Sequence, residues 1–445
     1  MERQRVIATI AWGVVASTVA LVGIAPLPAR AQGNPQSQVL GGESALMGGT
    51  GVALGTDAAA PFLNPAGVAR INQSSLALSS QLIELSYRRI SNFRQPQPEI
   101  SDAARDLGFE NTDVTNIAVR FIPTAICYFQ NIGDVENADP TQRHTLSLCI
   151  GATEFREVTT LAEAGSAASD VLRVDGSSSL QSAWVRRAFN ASWGHYLRDW
   201  ISVGASVVVE QTEQNLIFSA DGTSEDLATN RSRTTRFASS RAAMSFAARG
   251  EVGAIARISD QLSLGASART PSWTFASSFQ QTNEVDGLDG ARTRTVDSGS
   301  FEAPAPIRFA LGLGYDSDRL DVELDLFFFL PSDGFLRFEG ERNRAEIGPD
   351  GDTTRDASSV ELRDRSAFAV NVGVGARYRL NPNWSLLGGF QTDLSLLESF
   401  RDDDVDGRLA TTRRDIFHGS FGAAVSGAIG SFVLGLRFSY ADGDS

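Results

Sequence analysis

From Arg241 to Ile258 the chain alternates without interruption. One parity reads Ala242, Met244, Phe246, Ala248, Gly250, Val252, Ala254, Ala256 and Ile258; the other carries Arg241, Ser245, Arg249, Glu251 and Arg257. In an extended chain, residues i and i+2 share a face, so this segment is a strand with one apolar and one charged face. The pattern recurs. Leu320, Val322, Leu324, Leu326, Phe328 and Leu330 alternate with Asp321, Glu323 and Asp325. Phe368 to Leu380 alternates with Asn371, Arg377 and Arg379, and Phe432 to Tyr440 with Gly435, Arg437 and Ser439. Such runs exceed most soluble strands and suit tilted membrane strands with an extension. A soluble sandwich also alternates, but over shorter strands. The predicted fold class is all-β, an antiparallel transmembrane β-barrel.

The connections point the same way. Short ones fall near Leu197–Asp199, Ser259–Gln261, Asp316–Arg319, Asn381–Asn383 and Gly427–Gly430. Long polar ones are expected near Asn92–Asp113, Val158–Ser178, Asp221–Thr235, Thr282–Ser300, Gly340–Arg363 and Arg401–Arg414. Short turns on one side and long loops on the other mark an outer-membrane barrel. Hydrophobic content of 42% and mean hydropathy of -0.11 are too low for a helical bundle, but a barrel shows half of each strand to a polar lumen. The rhythm gives about thirteen strands where an even number is the rule. The strand through Phe432–Tyr440 runs outward by this count, so either the count is one short or the last strand is absent from this sequence, and the expectation is about fourteen strands.

Arg3 and Arg5, the apolar run Val6–Ala25, and Ala29-Arg30-Ala31 predict a signal peptide over 1–31. A retained anchor is the alternative, and Pro26 and Pro28 argue against it. The formal charge is -14; Arg3, Arg5 and Arg30 against Glu2 give that segment +2, leaving -16 on the rest. Such an acidic chain excludes nucleic acid as a partner. Cys127 and Cys149 flank a turn around Asn137–Pro140 almost symmetrically, which suits a cross-strand disulfide in an oxidising compartment. Parity argues otherwise: Cys149 lies with Ser147 and Thr153, Cys127 with Val119, Phe121 and Phe129, unless a bulge near Pro123 shifts one strand. The pairing stays open on sequence alone.

Ahead of the strands stand Gly48-Gly49-Thr50-Gly51-Val52-Ala53, then Asp57-Ala58-Ala59-Ala60, then Asn64-Pro65-Ala66-Gly67. This order resembles the N-terminal hatch of the FadL/TodX family of long-chain fatty acid and hydrocarbon transporters. Pro304-Ala305-Pro306 before Leu311-Gly312-Leu313-Gly314-Tyr315 resembles a proline-led hairpin of that family, and Val372 to Tyr378 before Asn381-Pro382-Asn383-Trp384 a later one. The resemblance implies a 14-stranded barrel with a plug over 32–72 and a wall over 73–445. It also implies passage of hydrophobic molecules through the outer membrane of a Gram-negative bacterium, with plug rearrangement and lateral exit. The tail after Tyr440 departs from the family, whose last strand ends in an aromatic residue.

The plug residues are expected to be Gly48, Gly49, Gly51, Asp57, Asn64, Pro65, Ala66 and Gly67. Pro65 fixes its own φ and biases Asn64 to extended geometry, while the glycines permit close packing. Arg241, Arg249 and Arg257 are candidates for binding a carboxylate headgroup, since guanidinium matches carboxylate with two hydrogen bonds. The competing reading is an interior ion ladder with Glu251, Asp321, Glu323 and Asp325. Phe327 and Phe329, on the Asp321 face, would line an apolar patch. His144, His195 and His418 lie far apart in sequence without metal spacing. Gly204-Ala205-Ser206 and Gly265-Ala266-Ser267 begin a nucleophile elbow, but Val208 and Arg269 replace its closing glycine. The chain therefore reads as a non-enzymatic channel without a cofactor. Its expected partners are fatty acids or hydrocarbons, outer-membrane lipid and lipopolysaccharide. A structural or adhesin barrel with no transport role is the alternative, and a general porin a weaker one.

Overall fold

The computed structural model describes residues 34–36, 38, 40–93, 112–133, 140–168, 172–226, 231–286, 291–396, 415–427 and 430–444. The proposed signal peptide, the connection 94–111 and the loop 397–414 lie outside them. One 17-stranded sheet dominates. Its strands are β1 (Ser75–Phe93), β2 (Thr112–Ile132), β3 (His144–Ala168), β4 (Leu172–Arg198), β5 (Ile201–Asp226) and β6 (Arg231–Arg257). Then come β7 (Leu262–Arg269), β8 (Trp273–Asp286), β9 (Arg292–Glu302), β10 (Arg308–Asp316), β11 (Leu320–Phe329) and β12 (Ser332–Ile347). Last are β13 (Thr353–Ser366), β14 (Ala369–Asn381), β15 (Trp384–Asp393), β16 (Asp415–Ser426) and β17 (Ser431–Asp444).

From β1 to β6 each strand pairs antiparallel with the next. β6 then serves two partners: Glu251–Arg257 pairs with β7, and Arg236–Ala248 with β8. A lower course continues β7–β10–β11–β14–β15–β16–β17, and an upper course runs β8–β9–β12–β13. The division follows from breaks at Thr270-Pro271-Ser272, Pro304-Ala305-Pro306 and Leu330-Pro331, where proline has no N–H to give the ladder. The breaks align across the sheet, because Arg308 stands opposite both Arg269 and Phe329, and Phe329 opposite Ala369. β17 pairs back onto β1 in parallel, Glu84 opposite Arg437. The lower course thus passes through thirteen strands, the seventeen less the four of the upper course, and returns to its first. Antiparallel neighbours alternate in direction, so an odd number forces one parallel junction.

The five short turns stand where the sequence places them. At one, the Asn381 side chain accepts from the N–H groups of Asn383 and Trp384 at 2.9 and 3.0 Å. Four of the six expected long loops are instead largely strand, the other two lying outside the described residues: β3 and β4 extend to Ala168 and from Leu172, and β5 runs to Asp226. β8 with β9, and β12 with β13, do the same, so only the hairpin tips remain as connections. Their polar sequences hide the alternation because cross-strand charge pairs such as Arg342–Asp297, at 2.9 Å, replace apolar contacts.

Polarity reverses along the long strands. On β5 the outward residues are Ile201, Val203, Ala205, Val207 and Val209, then Gln211, Glu213, Asn215 and the apolar Ile217. The buried face opposite runs Ser202, Gly204, Ser206, Val208 and Glu210, then ends in Leu216 and Phe218. Elsewhere on the lower wall Leu148 (64%) and Val252 (57%) are exposed while Arg249 and Glu251 are buried. This is the inverse of a water-soluble core.

Candidate functional site

Residues 40–72 lie against the buried face of the sheet, in two one-turn helices (Glu43–Leu46, Ala60–Leu63) and a 3-10 turn (Pro65–Arg70). Two carboxylates of β11 hold all four N–H groups of the Gly51–Leu54 backbone. One Asp325 oxygen accepts from the N–H groups of Gly51 (2.8 Å) and Val52 (3.1 Å). One Glu323 oxygen accepts from Ala53 (2.6 Å) and Leu54 (3.0 Å). Asn64 donates to the Val52 carbonyl at 2.7 Å and to Ala254 of β6 at 3.2 Å, while its own oxygen caps Ala66 N–H at 3.1 Å. Arg70 donates to the Ala53 carbonyl at 2.6 Å. Asp57 accepts from Ser44 and Ala59, tying the segment to itself. Glu43 reaches Arg377 of β14 at 2.6 Å; burial pushes its carboxyl above the ordinary glutamate value against the pull of that guanidinium.

The wall meets this segment with glycines. A methyl group at Gly204 would collide with Pro65 and Ala66, at Gly253 with Asn64, at Gly265 with Val52, and at Gly375 or Gly389 with Met47 and Gly48. Gly48 and Gly49 themselves have φ of +69° and +72°, and their would-be side chains would strike Phe390 and Gln391. The expected hatch residues therefore sit together on the buried face, with Gly67 packed under Gly55 and Ala60.

Beside the segment is an apolar cluster of Phe279, Phe301, Phe327, Phe329, Phe338 and Leu336, with Val52 among them. Phe279 and Phe338 meet edge to face at 5.2 Å, and Phe301 lies 4.8 Å from Phe338. Guanidinium groups rim it: Arg241 over Phe338 at 4.8 Å, Arg308 over Phe327 at 5.8 Å, and Arg186 over Trp184 at 5.8 Å. The three candidate arginines do not converge. Arg241 bonds Gln281 at 2.7 Å beside the rings. Arg249 belongs to an ion ladder with Glu210 and Glu251, the latter also holding Arg269 at 2.6 Å. Arg257 is exposed at the end of β6, so its placement on a shared buried face is corrected. Asp325, Glu323, Arg308 and the rings of β8, β9 and β12 were not among the predicted site residues.

A second apolar cluster joins Leu40, Ala58, Phe62 and Val68 to Phe129, Cys127 and Cys149. Cys127 and Cys149 stand directly opposite and form a disulfide. The parity objection fails because the buried face here mixes Phe129 and Ala125 with Ser147 and Thr145, while Tyr128, Leu146 and Leu148 point outward. His144 and His195 are cross-strand neighbours, their rings stacked at 4.3 Å, although distant in sequence. On the outward face, Tyr128, Leu148, Trp193 and Val207 surround Ala191 and Ala205 in a trough of about 460 Å³.

No family model and no curated relative matches the chain. Solved structures do. A CymD monoaromatic hydrocarbon channel aligns over 91% of this chain and 93% of its own at 14% identity, with a TM-score of 0.54. The Pseudomonas putida toluene transporter TodX aligns over 88% and 90% at 16% identity, with a TM-score of 0.52. A Pseudomonas aeruginosa FadL homologue aligns over 92% and 90% at 14% identity, with a TM-score of 0.50. Near-complete coverage of both partners at such low identity is agreement of architecture, and by it the chain has the β-barrel fold of the FadL/TodX channels.

Proposed function

We propose that this wall closes around residues 40–72 as a plug, spans an outer membrane, and passes apolar small molecules such as long-chain fatty acids or aromatic hydrocarbons by passive diffusion. The observation that carries the reading is the reversal of polarity along the strands. Up to Val209 the outward face is apolar and suits lipid; beyond it the outward face carries Gln211, Glu213 and Asn215, with Ile217 the one apolar residue among them, and the buried face passes from Thr212 and Gln214 to Leu216 and Phe218. The aromatic cluster then lies inside a wall that faces water on its outer side, where an apolar solute gains by leaving water. Solved neighbours in this fold are described as a monoaromatic hydrocarbon channel and a toluene transporter, which supports the same class of cargo. The trough at Ala191 and Ala205 suits lipid acyl chains. Burial of the charged groups in ion pairs, rather than around a shared reaction centre, favours transport over catalysis.

The test is binding of a fluorescent long-chain fatty acid and of a fluorescent aromatic probe to the refolded full chain, with uptake by a deletion strain alongside. Saturable binding, weakened by Phe338→Ala, is expected. Absence of saturable binding by a folded barrel, together with wild-type uptake in the deletion strain, refutes the reading and favours a structural or adhesive barrel.

A further inference from the structure

On the outward face of β2 to β5, the register sets side chains in rows across the strands. In one row Ala191 lies between Leu148 and Val207; in the next, nearer the short turns, Ala205 lies beside Trp193. The two alanines among taller neighbours leave the trough of about 460 Å³. The third row sets His144 opposite His195, with their rings 4.3 Å apart and 18° from parallel. Trp193 lines the trough and also bonds His144, so trough and histidine pair are continuous.

The hydrogen bonds fix where each neutral ring keeps its proton. The Trp193 indole N–H can only donate, and it reaches His144 Nδ1 at 3.2 Å, so that ring carries its proton on Nε2. The Arg143 carbonyl can only accept, and it lies 3.1 Å from His195 Nδ1, so that ring carries its proton on Nδ1 and its Nε2 is bare. Neither Nε2 has a partner among the described residues. Two near-parallel rings therefore present one free donor and one free acceptor side by side, at the end of an apolar trough.

We propose that this face binds one phospholipid whose headgroup carries a primary ammonium, as in the ethanolamine class. An acyl chain lies over Ala191 and Ala205, the phosphate accepts from His144 Nε2–H, and the ammonium donates to His195 Nε2. The inference rests on the membrane-spanning part of the reading above and not on its cargo. On that reading the short turns mark one membrane surface, which sets the histidines at headgroup depth and the trough at the depth of acyl chains. A phosphate only accepts here and an ammonium only donates, and the pair offers the complement of each in adjacent positions. Trp193 suits the same boundary, with its ring against the apolar trough and its N–H on a polar partner. A choline headgroup has the same charges but no N–H, so it leaves His195 Nε2 unmet.

Native mass spectrometry reads the site, on the full chain in detergent with equimolar ethanolamine and choline phospholipids of identical acyl chains. The wild type should retain one lipid and favour the ethanolamine headgroup about tenfold, the worth of one hydrogen bond to a charged group. His195→Phe keeps a stacked ring and the trough but removes the acceptor; it should still retain lipid, with the preference reduced below about twofold. Ala191→Phe fills the trough and should lower retention of both lipids about fivefold or more. A preference that survives His195→Phe overturns the headgroup assignment. Flotation with vesicles of the same two lipids separates the site from the wider reading. Wild-type protein that floats yet retains both headgroups equally overturns the site alone, and protein that does not float overturns both.

Discussion

Gly204 faces the N-terminal segment, and a single added methyl group there should unseat it. A β-carbon at Gly204 would lie 2.5 Å from the Ala66 nitrogen and closer still to Pro65. Ordinary contact begins at 3.4 Å, so segment and wall must separate by at least about 0.9 Å. The Asn64 amide bonds Ala254 at 3.2 Å, and a displacement of that size carries it out of hydrogen-bond range. Overpacking costs about 1–3 kcal/mol and the lost bond about 1 kcal/mol, together about 2–4 kcal/mol against the seated state. At about 1.4 kcal/mol per tenfold, the unseated population rises roughly 30- to 700-fold. Single-channel conductance in planar bilayers measures that population, and entry of a bulky hydrophilic antibiotic measures it in cells. Gly419→Ala is the control, because its β-carbon would meet nothing within 4 Å. If Gly204→Ala folds and conducts as little as Gly419→Ala, the segment is not seated on the glycines as described.

Val207→Arg should destabilise the barrel by about 2–4 kcal/mol in a urea titration, whereas Asn215→Arg, on the same face of β5 but beyond the apolar band, should cost less than about 1 kcal/mol. Glu251→Gln strips the carboxylate that Arg249 and Arg269 share and leaves Arg308, 3.9 Å away, without it; a loss of about 3–5 kcal/mol is expected in the same assay, and a loss under 1 kcal/mol would show the ladder to be dispensable. Replacing Cys149 with serine removes a link across 22 residues and should lower stability by about 3 kcal/mol, measured as the difference between oxidised wild type and variant, with reductant abolishing that difference.

The alternation in β6 and β11 was legible because period 2 survives wherever one face meets lipid and the other meets charge. Asp325, Phe327 and Phe329 could be placed on one face from the sequence. What Asp325 holds could not, since Gly51 lies 274 residues away and nothing local distinguishes a carboxylate in an ion ladder from one that grips backbone. The glycines of β5, β6 and β14 belong to the same case: nothing local gives their reason, which is the Asn64–Ala66 and Met47–Gly48 backbone pressed against them. The upper strands were misread as loops because water on the outside removes the need for an apolar face, and Arg342 with Asp297 reads as solvated charge until the register places them opposite. Pro304 and Pro306 stood out only as the lead of a hairpin, and their alignment with Pro271 and Pro331 as breaks is visible only in the pairing.

On the proposed transport function, the extent of β5 and β6 sets where the cargo would first be met. Strands of 26 and 27 residues span roughly 85 Å at about 3.3 Å each, or about 60 Å of vertical rise at a 45° tilt. A lipid-facing band accounts for about 25 Å of that. The remainder is a tower about 35 Å tall, which in an outer membrane would stand among the surface sugar chains. On that function, its entrance would stand above the densest part of that hydrophilic thicket, and an apolar molecule would be collected from open water and descend in shelter.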